Sequence, residues 1–230
     1  MPLADDIRDL AGRASGDLDA CHDYFTHTKA AWAVVAESVA GGHALTIRSE
    51  ATGTVVGGEE LVGLAQRYLA EDLLESTFQK FASIFEDFLF GLLRLWLAAH
   101  PARLSKKQLD FATVLHAPDK DAITLAVVDR ELDGLKYERL AGWFQYLDGL
   151  VHLGCPAPVQ VEQLAEIKAS RDILAHNRGV VNATYLSKSG PCARQREGRR
   201  LEIPEPYHRQ SWELIRDVIA DIASAAIEKA

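Results

Sequence analysis

The end of an amphipathic helix and its polar exit, "KASRDILAHNRGVVNATYL" at residues 168–186, bring together residue types that can move protons and hold anions. It contains Lys168, Arg171, Asp172, His176, Asn177, Arg178 and Asn182. Histidine is the side chain that most readily gives and takes a proton near neutral pH. Arginine keeps its charge whatever its surroundings and suits phosphate oxygens. On a helical wheel at about 100° per residue, Leu164, Ile167, Leu174 and Ala175 share one face, and Arg171 falls among them, flanked by Lys168 and Val161. A guanidinium in such a place needs an internal carboxylate or a polar cleft, because an unpaired buried charge costs several kcal/mol. Glu86 is the acid expected to meet it, since the helix carrying Glu86 offers few other inward polar groups. Asp172 and His176 stand four apart, a spacing that lets a carboxylate touch and orient the ring. Arg171 and His176 stand five apart, about 140° around an ideal helix. They converge if the arginine reaches across, if the helix end loosens, or if a second copy faces the first.

The spacing alone carries little. Sixteen arginines and eight histidines in 230 residues produce roughly two accidental pairs separated by four to six residues. The chain has two such pairs, Arg171 to His176 and Arg94 to His100. The second ends a core helix just before Pro101 and is read as a helix exit. Context distinguishes the first, which has a polar Asp172 after the arginine and a glycine-containing polar exit after the histidine.

The placement of charge suggests either a confined site for an anion or a solvated basic loop. The whole chain carries −8, which disfavours a general nucleic-acid coat. Residues 168–200 nevertheless hold eight Lys/Arg against two acids, a local +6 on an acidic body. Asn177, Arg178, Asn182 and Lys168 are candidates for phosphate or base contacts, although the same polar turn also serves as plain solvated surface. Cys21, Cys155 and Cys192 lie far apart, and the histidines lack metal-ligand spacing, so no metal or cofactor is expected. The N-terminal "MPLADDIRDL" has no basic-then-apolar leader pattern, and "FEDFLFGLLRLWLAAHP" is too short and too charged for a bilayer. A cytoplasmic, non-membrane protein is expected.

The elements that must position these residues are helical. Residues 17–40 read as a helix ended by Gly41 and Gly42, and period-two alternation around "ATGT" predicts a small hairpin near 44–56. From 59 to 99, Phe78, Phe81, Phe85, Phe88, Leu92 and Trp96 recur at helical spacing, with Leu89, Phe90, Leu93 and Leu97 on other faces. Such a helix belongs at the centre of a bundle. Further helices are predicted at 118–133, 137–153, 159–177 and 208–228, with an irregular basic segment after Gly179 and a short strand near 200–203. Trp212 and Tyr207 read as core residues. The predicted fold class is all-α with a small β-hairpin in the N-terminal part, organised as an N-terminal extension (1–57) and a helical domain (58–230).

On "RDILAHNRG" and the layout around it, the chain resembles the HEPN superfamily, whose members are all-α bundles carrying an R-x(4–6)-H motif near a helix end. The match covers roughly residues 60–230, and only the region of "RDILAHNRGVVNATYL" is specific. Asp172 replaces the more usual Asn, and Arg178 stands where antitoxin-modified members carry Tyr. The resemblance implies metal-independent RNA cleavage of a toxin or phage-defence kind, leaving a 2′,3′-cyclic phosphate and a 5′-hydroxyl. In that reading His176 acts as general base or acid, Arg171 stabilises the transition-state charge, and Glu86 orients Arg171. It also implies RNA as a partner, a two-fold homodimer that completes the site, and an antitoxin or other defence-system protein. A non-catalytic helical module that binds RNA, a nucleotide or a partner protein is one alternative; another is purely structural, with Arg171 a buried ion pair to Glu86 and His176 a helix-end histidine favoured by the macrodipole.

Overall fold

A computed structural model describes residues 2–104, 108 and 111–230. In chain order the elements are α1 (Pro2–Ala40), strands β1 (Thr46–Arg48) and β2 (Val55–Gly57), α2 (Gly58–Arg67), a π-helical turn (Tyr68–Asp72) and α3 (Leu73–Ala99). A 3-10 turn (Pro101–Leu104) follows, then α4 (Phe111–His116), α5 (Lys120–Leu135), α6 (Leu140–Val151), α7 (Pro158–His176) and α8 (Ala183–Ser189). A second 3-10 turn (Gly190–Cys192) leads to α9 (Glu205–Lys229). The fold is all-α, and β1 and β2 form a two-stranded antiparallel hairpin in which Ile47 faces Val56.

The centre is α3. Phe78, Phe81, Phe85, Phe88, Leu92 and Trp96 are all buried, as are Leu89, Leu93 and Leu97 on the adjoining faces. A helix apolar on so many sides needs neighbours all round it; α1, α5, α7 and α9 supply them. Ile7, Ala14, Leu18 and Phe25 of α1 lie in the same core as α3 and α9. Gly91 of α3 admits α1 closely, since a Cβ there would stand 3.0 Å from a methyl of Leu10.

Several boundaries differ from expectation. The first helix begins at Pro2 and not at 17, because the sparse series Ile7, Ala14, Leu18 and Phe25 suffices once α3 and α9 are there to bury it. The long helix expected over 59–99 is interrupted by the π-helical turn. The strand expected near 200–203 is a single bridge between Val180 and Arg200, supported by Leu201 N donating to Gly179 O at 2.8 Å. The basic segment after Gly179 is less irregular than its composition suggests. Asn182 caps α8, its side-chain oxygen accepting from Tyr185 N at 2.9 Å, and a side-chain cap of this kind satisfies an otherwise orphaned helical N–H.

Candidate functional site

α7 carries the chemistry. Pro158 occupies its first turn, where a missing N–H costs nothing, and Gln160 Oε1 accepts from Ala157 N at 2.8 Å. At the other end the chain turns away through Arg178 (φ 53°) and Gly179 (φ 72°), both left-handed. Gly179 N donates to Ile173 O at 2.9 Å, which satisfies a terminal carbonyl. His176 therefore lies in the last turn of a helix whose exit is fixed by backbone bonds.

The buried face of α7 is made by Leu164, Glu166, Ile167, Ala169, Ser170 and Ile173. This differs from the predicted wheel: Leu174 is only half-buried and Ala175 is exposed. Arg171 sits at the border of the buried face and not in its middle, with 19% of its side chain accessible. The difference arises because Glu166 and Ser170, polar by type, are turned inward by partners that the helix alone does not reveal.

Arg171 does meet Glu86. Its Nη2 hydrogen-bonds Glu86 Oε1, and Nη1 lies 3.3 Å from Asp172 Oδ1. Lys168 Nζ stands 3.7 Å from Glu86, 3.3 Å from Asp172 and 5.1 Å from the Trp143 ring centre. Lys188 of α8 reaches Asp172 Oδ2 at 3.1 Å. Two carboxylates are thus interleaved with three cations. Burial alone would push the Asp172 carboxyl up, but Lys168, Lys188 and Arg171 more than offset this and hold it below its usual range. Arg171 Nε is buried without a hydrogen-bond partner among the described residues.

The Asp172–His176 contact expected from the four-residue spacing is not made. Asp172 is drawn to the three cations, and no hydrogen bond or ion pair joins it to His176 among the described residues. The two do share a cleft of about 460 Å³, lined also by Lys168, Lys188, Asn177, Asn182 and Tyr137. Arg171 does not line this cleft, because its head points to α3. Asn177 Nδ2 donates to Val180 O, so this residue also holds the turn. Arg178 is exposed and lies outside the cleft. The Arg94–His100 pair is a helix exit, as expected: Arg94 pairs with Asp129 at 3.1 Å, and the His100 ring meets Trp96 O at 3.0 Å.

Beside the cleft lies a network with no counterpart in the sequence reading. Glu166 is 2% exposed and accepts from Ser170 Oγ at 2.6 Å, Tyr185 OH at 2.7 Å, Arg194 Nε at 3.0 Å and Tyr207 OH. The Arg194 guanidinium stacks 3.5 Å over the Tyr207 ring. Burial, followed by the Glu166 charge, pushes both tyrosine hydroxyls up, so they remain donors. Tyr207, expected in the core, is half-buried and polar in its use. The one sequence signal for this network was the pairing of Glu166 with Ser170 four residues on.

Among the described residues no cluster of three or more histidines, cysteines or carboxylates could hold a metal, and no helix is long and apolar enough to cross a membrane. Compared with known proteins, the chain matches no family model, no curated protein and no solved structure.

Proposed function

We propose that this chain is a metal-independent endoribonuclease of toxin or defence type, acting as a two-fold homodimer with RNA bound across the His176 clefts. The observation that carries the reading is His176, exposed at a fixed helix end, in one polar cleft with Lys168, Lys188, Asn177 and Asn182. Neutral His176 takes the proton from a ribose 2′-hydroxyl as its oxygen attacks the adjacent phosphorus, and the bond to the 5′-oxygen breaks. His176 of the second copy, in its protonated form, gives the leaving oxygen a proton, so one imidazole ends charged and the other neutral. Lys188 and Lys168 place positive charge beside the phosphorane-like transition state. Arg171, held by Glu86 and Asp172, acts through Asp172 by fixing the carboxylate that positions both lysines. This differs from direct contact with phosphate, the role that the family resemblance implies for Arg171.

The test is chemical. Incubated with RNA in excess EDTA, the purified protein should release fragments ending in 2′,3′-cyclic phosphate and 5′-hydroxyl. Fragments with 3′-hydroxyl ends, or cleavage only on adding a divalent ion, would contradict it. A second reading, a helical module that binds RNA, a nucleotide or a partner without cutting, is favoured by the engagement of Arg171 with Glu86, which leaves no arginine among the described residues that line the cleft. It predicts binding without product.

A further inference from the structure

Tyr137 is 93% exposed, a bare aromatic ring in the turn between α5 and α6. Its neighbours Leu135 and Leu140 are buried, so the ring is held out of the core. The turn that displays it is well fixed. Tyr137 N donates to Gly134 O at 3.3 Å and Glu138 N to Leu135 O at 2.9 Å, and Trp143 Nε1 binds Leu135 O at 2.7 Å. Just beyond the turn, Arg139 Nη2 donates to Ser187 Oγ of α8 at 2.9 Å. Tyr137 is among the residues that line the His176 cleft, together with Lys136, Lys168 and Lys188 and the acids Glu138 and Asp172; Lys136 also pairs with Asp133 at 2.9 Å.

We infer that Tyr137 is a stacking platform for a nucleobase of single-stranded RNA, holding one unpaired base at the mouth of the cleft while the adjoining phosphate lies toward Lys188. This rests on the reading of the cleft as an RNA site. A planar ring left in water beside a cleft that holds lysines can stack an unpaired base without demanding a sequence. Bases in a duplex are already stacked and present no free face. A protein ligand would gain little from one isolated ring in so polar a cleft.

The experiment measures anisotropy with 2′-O-methyl RNA of about eight nucleotides, which cannot be cut through its 2′ position, and with a matching abasic strand. Wild type should bind the base-bearing strand about tenfold more tightly than the abasic one, a factor within the range of one stacked base. Tyr137→Ala should lose that difference, while Tyr137→Phe keeps it, and neither should change the circular dichroism. If Tyr137→Ala binds the base-bearing strand as wild type does, the stacking role is wrong and the RNA site stands. If wild type binds neither strand, or prefers duplex RNA, the platform is overturned. Failure to bind any RNA also overturns the reading on which it rests.

Discussion

At the scale of single residues, the cluster of Glu86, Arg171, Asp172, Lys168 and Lys188 sets what the cleft can do. Removing one member of a partly buried ion pair strands the other, whereas removing both leaves an apolar contact. Glu86→Met should therefore cost about 2 kcal/mol in urea unfolding, and the Glu86→Met/Arg171→Met double variant should recover most of that loss. A loss in the double variant equal to the sum of the Glu86→Met and Arg171→Met losses would show that the two side chains are not coupled. The Glu86 partnership followed from the sequence because an arginine near a greasy face needs an acid, and one core helix supplied it. The Asp172–His176 pairing did not survive, since helix spacing fixes which residues can touch and says nothing of competing cations brought by α8. Lys188 and Tyr137 were beyond reach for a related reason. Each comes from another element, and only the tertiary packing brings it to the cleft.

Among elements, the position of α7 against α9 and the 190–204 segment depends on Glu166. A buried carboxylate with four donors keeps its neighbours in one arrangement, and its loss leaves Arg194, Tyr185, Tyr207 and Ser170 short of an acceptor. Glu166→Ala is expected to destabilise the fold by about 3 kcal/mol, read as a lower urea midpoint. Arg194→Ala should do less, because the tyrosines and Ser170 continue to donate. A midpoint unchanged in Glu166→Ala would remove this network from the account. The helices themselves were legible because periodicity reports burial: α3 was evident from its phenylalanines and leucines. α8 was hidden in a segment rich in basic and turn-forming residues, where the Asn182 cap and Tyr185, buried against Glu166, decide the outcome. The early part of α1 was missed because its apolar residues are widely spaced and gain meaning only from α3 and α9.

For the whole molecule, the junction of α1, α3 and α9 makes stability depend on acidity. His208 is fully buried there, its Nε2 at 2.7 Å from Thr77 Oγ1, with Phe25, Phe81 and His22 around it and Glu205 nearby. Burial, reinforced by His22, pushes its imidazole down to about 4, while Glu205 opposes the shift. The unfolded chain then binds a proton that the folded chain refuses. The stability tied to His208 is full above about pH 6.5, falls as pH drops toward 4, and levels off below. The loss is up to about 3 kcal/mol. His208→Gln should start less stable at pH 7 yet lose less between pH 7 and 4.5 than wild type; parallel losses would contradict the assignment.

Of the eight basic residues at 168–200, Lys168 and Lys188 line the His176 cleft, and the proposal that RNA is cut there rests on that cleft and not on the charge of the whole stretch. The most direct measurement of that claim compares wild type with His176→Ala on RNA in EDTA, with circular dichroism showing both folded. The account predicts that the variant still binds RNA but cuts it at least about a hundredfold more slowly. Undiminished cutting by His176→Ala would contradict it.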